Sequence, residues 1–232
     1  MKNPFRYFNS SPAVIRLTVM MYVRYPLSLR QVEDLLFERG INVSYETVRF
    51  WWNRFGPLFA KQIRRKRRRH PVSHSNWRWH LDEVFVKIGG EMRYLWRAVD
   101  QEGEVLDAVV TKKRDRKAAL RLLKGLMKKY GRPVSLVTDR LRSYRAALDD
   151  LQSSVHHQTG RWMNNRAENS HLVFRRRERA MGRFRSVASL QKFVSIQGQI
   201  QNHFNAERHL IDRSTYRNLR SAALVEWQSL AA

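Results

Sequence analysis

The chain has 232 residues, of which 45 are Lys or Arg and 20 are Asp or Glu, so its formal net charge at pH 7 is +25. An excess of this size repels itself unless a polyanion neutralises it, and nucleic acid is the first candidate partner. The absence of Cys excludes disulfide frameworks and Cys-ligated zinc. No apolar run reaches the roughly 18–20 residues that span a bilayer, so we expect a cytoplasmic protein that does not bind membranes.

Residues 1–63 predict an all-α domain of three helices. The first helix begins at the capping pair Ser11-Pro12 and ends before Pro26. We expect its buried face to consist of apolar residues at helical spacing, namely Val14, Leu17, Met21, Tyr22 and Tyr25.

The second and third helices have the pattern of a helix-turn-helix unit. Ser28 with Gln31 forms a capping box, Gly40 ends the second helix, and Ser44 caps the third. In such a unit the later helix enters the major groove of DNA. The alternative is that its exposed positions are ordinary solvated positions of a three-helix bundle. The predicted DNA contacts on this helix are Tyr45, Glu46, Arg49 and Asn53.

A cationic segment, KQIRRKRRRHPVSHSN, follows at residues 61–76. It loses the apolar period and ends in Pro, Ser and Asn, so we assign residues 64–76 to a basic linker between domains. Such a segment contacts DNA phosphates without reading sequence, although a merely solvated charged segment has the same composition. The predicted phosphate contacts are Arg64, Arg65, Lys66, Arg67, Arg68 and Arg69.

Beyond the linker the apolar period changes from helical to strand-like. A tight turn at Gly89-Gly90 joins the first two strands of an antiparallel meander formed by WRWHLDEVFVKI, EMRYLWRAV and EVLDAVVT. A helix, the strand PVSLVTD, a second helix and a short strand near residues 154–157 complete an α/β domain whose mixed sheet is flanked by helices. We place this domain at residues 77–206 and a C-terminal helical tail at residues 207–232.

Three acids and one Arg lie at positions that suggest chemistry. Asp82 lies in the middle of the first strand, where either a buried partner satisfies it or it ligates a metal ion. Asp139 ends the strand PVSLVTD, at the end where ligands of α/β sheets bind, although Asp there also caps helices and turns. Glu168 lies in a first helical turn, where acids also offset the helix dipole. Arg175 lies two turns later on the same face, about 10 Å along the axis, within reach of a metal-held phosphate.

Together the three acids suit phosphodiester chemistry. Cleavage and transfer of phosphodiesters use two hard cations roughly 3.5–4 Å apart, and carboxylates are the ligands that such cations bind. We therefore expect Asp82, Asp139 and Glu168 to ligate Mg²⁺, with Mn²⁺ as a substitute. Glu83 should point to the opposite face of its strand and so stands outside this set. The eight His show no i, i+4 metal pair, and no Gly-rich loop indicates ATP.

Several strings resemble bacterial insertion-sequence transposases of family six. WRWHLDEVFVKIGGEMRYLWRAVD, VTDRLRSYRAAL, GRWMNNRAENSHLVFRRRERAMGRFRS and QNHFNAERHL are similar to the catalytic region of that family. YPLSLRQVEDLLFERGINVSYETVRFWWNRF resembles its DNA-binding segment. The resemblance implies a ribonuclease H-like fold in which Asp82 of HLDE, Asp139 of VTDR and Glu168 of NRAEN are the acidic ligands, with Arg175 as the basic residue that follows. Arg140 stands where the resemblance implies a smaller residue.

The activity that this resemblance implies is DNA transposition. The protein would bind the terminal inverted repeats of its element, cleave to expose 3′-hydroxyls, and join them to target DNA. The expected partner is double-stranded DNA, both repeat ends and target, on which a homodimer or higher homo-oligomer assembles. The expected location is the bacterial cytoplasm, in association with the nucleoid.

Two other interpretations stay open on the sequence alone. A catalytically inactive DNA-binding repressor, or a transposase remnant, would occupy repeat ends without cutting them. A ribosomal or RNA-associated factor would share the excess of positive charge.

Overall fold

The computed structural model describes residues 3–69, 78–160, 163–206 and 210–231, with the side chains at 68 and 69 outside the description. Within these ranges no helix is both long and apolar enough to cross a membrane. The helices and strands are, in chain order, α1 (Pro12–Arg24), α2 (Leu29–Phe37), α3 (Tyr45–Arg69), β1 (Arg78–Ile88), β2 (Glu91–Asp100), β3 (Val105–Thr111), α4 (Arg116–Tyr130), β4 (Ser135–Thr138), α5 (Arg142–Asp150), β5 (His156–Thr159), α6 (Asn165–Ala180), α7 (Val187–His203) and α8 (Arg213–Gln228).

The chain divides into two compact units whose boundaries differ from the predicted ones. One unit is helical and contains Met1–His70, Arg179–Gly182 and Gln199–Ala232. The other contains Pro71–Glu178 and Arg183–Gly198 and holds the sheet. The C-terminal segment therefore belongs with the N-terminal helices, and α6 and α7 each contribute residues to both units.

The first helices of the helical unit begin at the predicted caps. The Val14 amide donates to the Ser11 hydroxyl at 3.3 Å, which satisfies one of the free amides at the start of α1. The capping box of α2 is complete, because Ser28 accepts from the Gln31 amide at 3.2 Å and Gln31 accepts from the Ser28 amide at 2.8 Å. The predicted N-terminal helical region is confirmed.

The buried face of α1 differs from the predicted one. Tyr22 is buried as expected and packs on Trp52 of α3 with ring centroids 5.6 Å apart. The other predicted residues are partly or fully exposed, because α1 is apolar on most sides and packing against α3 selects a different stripe. The buried apolar residues of α1 are Ile15, Val19, Tyr22 and Val23.

Helix α3 is longer than predicted and continues through the first six residues of the segment assigned to a linker, 64–69. Arg and Lys are good helix formers, so a cationic run does not by itself end a helix. Ile63 is buried, and Lys66 forms an ion pair with Glu226 of α8 at 2.9 Å. These contacts extend the helix beyond the predicted boundary. The rest of the predicted linker, 70–76, lies outside the described residues.

The C-terminal helix α8 forms part of the same helical core. Trp227 is only 2% exposed and packs edge-on against Phe59, with ring centroids 5.3 Å apart. Its indole donates to the Arg16 carbonyl at 3.1 Å, and the Arg16 guanidinium donates to the Leu230 carbonyl at 2.7 Å. Trp227 therefore joins the C-terminal segment to both α1 and α3.

The second unit contains a five-stranded sheet in the order β3-β2-β1-β4-β5. β1, β2 and β3 are antiparallel, whereas β4 and β5 run parallel to β1. The turn between β1 and β2 has positive φ at both Gly89 and Gly90, +58° and +86°, as a two-residue hairpin of the predicted kind requires. The mixed sheet flanked by helices confirms the predicted ribonuclease H-like fold class.

One face of the sheet packs on α4 and α5 around Trp79, Leu81 and Trp96, which are fully buried. The free edge of β3 is covered by Gln191 of α7. The Gln191 side chain accepts from the Val110 amide and donates to the Ala108 carbonyl, both at 2.9 Å. Its amide group thus takes the place of a neighbouring strand, which protects an edge that would otherwise be open to pairing.

We predict that Trp227→Ala lowers the free energy of unfolding of the helical unit by about 3–5 kcal/mol, because it leaves a cavity among buried aromatic rings. Urea unfolding followed by circular dichroism measures this change. Leu219→Ala in the same helix is the control, since Leu219 is 49% exposed and its truncation should cost less than about 0.5 kcal/mol. Equal stability of the two variants would show that α8 does not contribute to this core.

Candidate active site

The acids of the site meet at the point where β4 ends beside the longer β1. β4 pairs with β1 only over Arg78–Leu81, whereas β1 continues to Ile88. Asp82 is thus the first residue of β1 beyond this pairing, and Asp139 directly follows the last residue of β4. Among the described residues no strand adjoins this part of β1 on the β4 side, so carboxylates can approach one another around the open edge of β1.

Asp82 is held by a histidine of α6. The Asp82 carboxylate lies 3.1 Å from Nδ1 of His171, which is almost completely buried. Burial lowers the pKa of His171 below its usual value, and the charges of Arg97 and Arg175 lower it further against the opposing effect of Asp82. A neutral imidazole beside a carboxylate donates from Nδ1, so His171 orients Asp82 by a hydrogen bond. Sequence reasoning missed His171, because its spacing carries no metal-ligand signature.

Asp139 has the turn role that the sequence left open, and its role as a metal ligand stays a prediction. Its Oδ1 accepts from the Leu141 amide at 3.0 Å, and its Oδ2 lies 3.3 Å from the Arg114 guanidinium. Burial raises the pKa of the Asp139 carboxyl, and the nearby charge of Asp82 adds to that rise, whereas Leu141 and Arg114 oppose it. The side chain remains 37% exposed, so it is accessible to a ligand from solvent.

Glu83 is an acid of this site that the sequence analysis set aside. Glu83 pairs across the sheet with Trp96, whose side chain lies in the core formed with α4 and α5. Paired residues point to the same face, so the Glu83 side chain points to the face opposite Asp82, as predicted. Its carboxylate nevertheless comes within 4.8 Å of those of Asp82 and Asp139. The expectation that Glu83 lies apart from them is therefore wrong, because β4, as described, pairs with β1 only as far as Leu81 and leaves that side of the strand open at Glu83.

Both carboxylate oxygens of Glu83 are already bonded within the protein. Arg114 donates to Oε1 from Nε at 2.5 Å, and the Tyr144 hydroxyl donates to Oε2 at 3.0 Å. The side chain is only 2% exposed. Burial raises the pKa of Glu83 to about 7, and Asp139 adds to that rise, whereas Arg114 and Tyr144 lower it.

Glu168 lies on α6, on the face of the helix that lies along β1. Asn164, four residues earlier, donates from its side chain to the Leu81 carbonyl at 2.8 Å. His171, three residues later, contacts Asp82. Side chains three and four residues apart share a helix face, so Glu168 lies between two residues that bond to β1 at Leu81 and Asp82. It is exposed and is not part of the 4.8 Å cluster identified among the described residues.

Arg175 extends this face of α6 along β1. Its guanidinium contacts the Phe85 carbonyl of β1 and pairs with Glu178 at 2.6 Å. The predicted phosphate contact by Arg175 remains a prediction. The contacts with β1 and Glu178 hold the side chain beside the open strand edge, about one turn beyond His171.

The residues of this edge fit a divalent cation. Three carboxylates meet within 4.8 Å, and oxygen ligands of this type are what Mg²⁺ and Mn²⁺ bind. Burial and the charge of Asp139 raise the pKa of Glu83, burial and the charge of Asp82 raise the pKa of Asp139, and a cation would offset this repulsion. The side chains of Asp82 and Asp139 are 17% and 37% exposed, against 2% for Glu83, so they offer the most accessible ligand atoms of the cluster.

The predicted base-contacting residues lie near the start of α3. Glu46, Arg49 and Asn53 are exposed, and Asn53 donates to the Arg49 carbonyl at 2.9 Å. The Tyr45 ring is approached by two guanidinium groups, with Arg30 of α2 at 5.4 Å and Arg49 at 5.5 Å from its centroid. Cation–π contacts of this kind fix the direction of Arg49.

The predicted phosphate contacts lie farther along the same helix. Arg64 and Arg65 are exposed, and Lys66 is paired with Glu226. At 1.5 Å per residue, Arg64 lies about 22 Å beyond Arg49 along the axis and about 60° around it. Arg67 is partly buried, and the side chains of Arg68 and Arg69 lie outside the described residues.

We predict that His171→Ala raises the dissociation constant for Mn²⁺ about 10–100-fold, since partners that orient a ligating carboxylate have effects of this size. Titration calorimetry measures the binding. His156→Ala is the matched control, because His156 is exposed on β5 and should leave the affinity unchanged. His171→Asn retains a side-chain donor and should recover part of the affinity. Equal affinities of the two alanine variants would contradict the orienting role.

Comparison with known proteins agrees with this geometry. A family model described as a DDE domain matches residues 76–207. The transposase for the insertion sequence-like element IS431mec of Staphylococcus aureus is 33% identical over 174 residues, which cover 73% of this chain and 75% of that protein. The transposase of IS257 in transposon Tn4003, also from Staphylococcus aureus, matches to the same extent.

Among solved structures, the magnesium complex of the HTLV-2 integrase catalytic core is 13% identical, with a TM-score of 0.41, covering 60% of this chain and 90% of that one. The catalytic domain of the Mos1 mariner transposase is 12% identical, with a TM-score of 0.37, covering 73% and 90%. The family match spans more than half of the chain, and the staphylococcal relatives match in sequence over most of their length. The chain therefore belongs to the DDE-domain transposases of bacterial insertion sequences, in family six.

Proposed function

We propose that this transposase cleaves double-stranded DNA at the inverted repeats of its element and joins the freed 3′-hydroxyls to target DNA, with Asp82, Asp139 and Glu168 holding the metal ions. The observation that carries the proposal is the meeting of Asp82 and Asp139 at the open edge of β1, beside the α6 face that bears Glu168. When bound, a pair of Mg²⁺ or Mn²⁺ ions would activate the attacking water or hydroxyl and stabilise the leaving oxygen.

Glu168 is a better third ligand than Glu83, although Glu83 is the closer acid. Both oxygens of Glu83 are bonded, one to Arg114 and one to Tyr144, and its side chain is buried. Glu168 is exposed, and it lies in the first turn of α6. In the proposed complex the exposed Glu168 side chain would turn toward Asp82 to complete the set of metal ligands.

Glu83 then serves as a positioning residue. Arg114 bonds to Glu83 and reaches Asp139 at 3.3 Å, so the buried carboxylate fixes a cation beside one of the ligands. Arg175, held against β1, would contact the phosphate that the metal ions engage. His171 keeps Asp82 aligned through its Nδ1–H group.

The helical unit supplies recognition of the DNA in this proposal. The first turns of α3 would act as the recognition helix of a helix-turn-helix unit and lie in the major groove, with Arg49 directed to base edges. The cationic end of the same helix would contact phosphates roughly four α-helical turns, or about 22 Å, farther along. Synapsis of two repeat ends would require at least a homodimer.

We predict that Asp82→Ala and Glu168→Ala each reduce the rate of strand transfer by about 10³-fold or more. Each variant removes a ligand of the metal ions, and these ions lower the free energy of the charged transition state by several kcal/mol. The assay uses labelled repeat-end DNA with Mg²⁺ or Mn²⁺. Binding of the repeat ends, measured by fluorescence anisotropy, should persist in both variants, since the DNA-reading residues lie on α3.

Two control variants sharpen this assay. Glu91→Ala removes an exposed acid at the start of β2 and should transfer strands at the wild-type rate. Glu83→Gln retains the shape of the side chain and should lower the rate less than Glu168→Ala does. Wild-type activity in Glu168→Ala, together with loss in Glu83→Gln, would assign the third ligand to Glu83 instead.

We predict that Arg49→Ala weakens binding to the repeat ends by about 1–3 kcal/mol more than binding to random-sequence DNA, as expected for loss of a base contact. Anisotropy titrations with the two duplexes at one salt concentration measure the difference. Arg65→Ala serves as the control that weakens both complexes alike. A uniform loss in Arg49→Ala would make α3 a phosphate-contacting helix only.

A further inference from the structure

A cavity of about 510 Å³ lies between α5 and β5, immediately beside the proposed active site. It is lined by the turn after β4, by α5 and by β5. Its volume falls within the range of roughly 300–1,000 Å³ that small-molecule sites occupy. The catalytic residues described above do not line it, and Arg140 connects it to the site because Arg140 directly follows Asp139 in the chain.

Three arginines give this cavity its charge. Arg140, Arg142 and Arg145 are exposed and line it, with Asp149 as the single acid among the lining residues. Two other arginines of this region, Arg114 and Arg116, are each paired with carboxylates. Within the described part of the chain, none of the three lining arginines forms an ion pair. Guanidinium groups without an acidic partner bind phosphate favourably, through bidentate hydrogen bonds.

The rest of the lining also suits a nucleotide unit. Leu148 and Val155 supply an apolar surface, and the Ser153 hydroxyl is buried with no hydrogen-bond partner among the described residues. α5 begins at Arg142 without a hydrogen bond from a capping side chain. The free amides of its first turn can therefore donate hydrogen bonds to an anion. A phosphate at the arginines, with its sugar or base against the apolar surface, would satisfy each of these groups.

We propose that this arginine cavity binds a backbone phosphate of the DNA strand that passes the active site, a proposal that rests on the function proposed above. Arg140 directly follows Asp139 in the chain, and Arg142 begins α5. Successive phosphates of one strand advance only about 3.4 Å along the duplex axis, so a strand whose reacting phosphate lies at Asp139 can present a neighbouring phosphate to these arginines. The strand belongs either to the repeat end or to the target, and the experiment separates the two.

Disulfide cross-linking tests the proposal in the full-length chain. The natural sequence has no Cys, so Arg142→Cys introduces a unique thiol. Each DNA duplex carries a thiol tether on one backbone phosphate, and a series of duplexes places this tether at successive positions along the strand. One series covers the cleavage point of a repeat end, and the other covers an unrelated target duplex. Reactions contain a metal chelator, so cross-linking does not depend on catalysis.

Arg132→Cys is the matched control, because Arg132 is an exposed arginine just before the opposite end of β4. We expect Arg142→Cys to cross-link about tenfold more than Arg132→Cys, within a few nucleotides of the reacting phosphate, because proximity raises the effective thiol concentration. The duplex that gives the product identifies the strand. Equal yields for the two variants, or no product at any position, would overturn the proposal.

A binding measurement gives a second, independent readout. The double variant Arg142→Ala/Arg145→Ala should reduce the slope of log affinity against log salt concentration by about 1, the value for one lost phosphate contact. An unchanged slope would contradict the proposal. Strand transfer by the wild-type protein is followed in parallel. Cross-linking without strand transfer would defeat the proposed function while retaining the cavity as a DNA site.

Discussion

The site depends on one constraint of the sheet, which is that β1 extends beyond the end of β4. Past Leu81 the strand has no partner on that side, and Asp82 lies at this step. Asp139, at the end of β4, adjoins it, so two like charges meet where the polypeptide provides little room to separate them. The fold tolerates this arrangement because His171 and Arg114 stabilise the acids from α6 and from the loop before α4. The same crowding makes the edge a favourable place for a cation.

The two units use positive charge in different ways. In the sheet unit, Arg114 and Arg175 are bonded to groups of the protein near the open edge, whereas the arginines of the α5–β5 cavity are exposed to a ligand. In the helical unit, α3 carries both the predicted base contacts and the cationic run on one continuous helix of 25 residues. The excess positive charge of +25 thus includes at least two surfaces that we propose to contact DNA.

Much of the architecture follows from local sequence patterns. Caps such as Ser28 with Gln31, the Gly89-Gly90 turn and the strand periods predict the elements that are observed, and Asp82 and Asp139 stand out because acids are rare in strands. The relative lengths of β1 and β4 are a tertiary property, so the approach of Glu83 to the other acids was missed. His171 was missed for a similar reason, because it contacts a residue 89 positions away. The extent of α3 and the packing of α8 depend on contacts such as Trp227 with Phe59, which no local period reveals.

The central claim is that Asp82, Asp139 and Glu168, and not Glu83, hold the ions that act on DNA. Anomalous diffraction from crystals of the protein with Mn²⁺ and repeat-end DNA measures it most directly. We expect an ion at bonding distance from carboxylate oxygens of Asp82 and Asp139, and Glu168 completing the set of protein ligands, while Glu83 stays bonded to Arg114 and Tyr144. An ion bound by Glu83, with Glu168 directed away into solvent, would contradict the account.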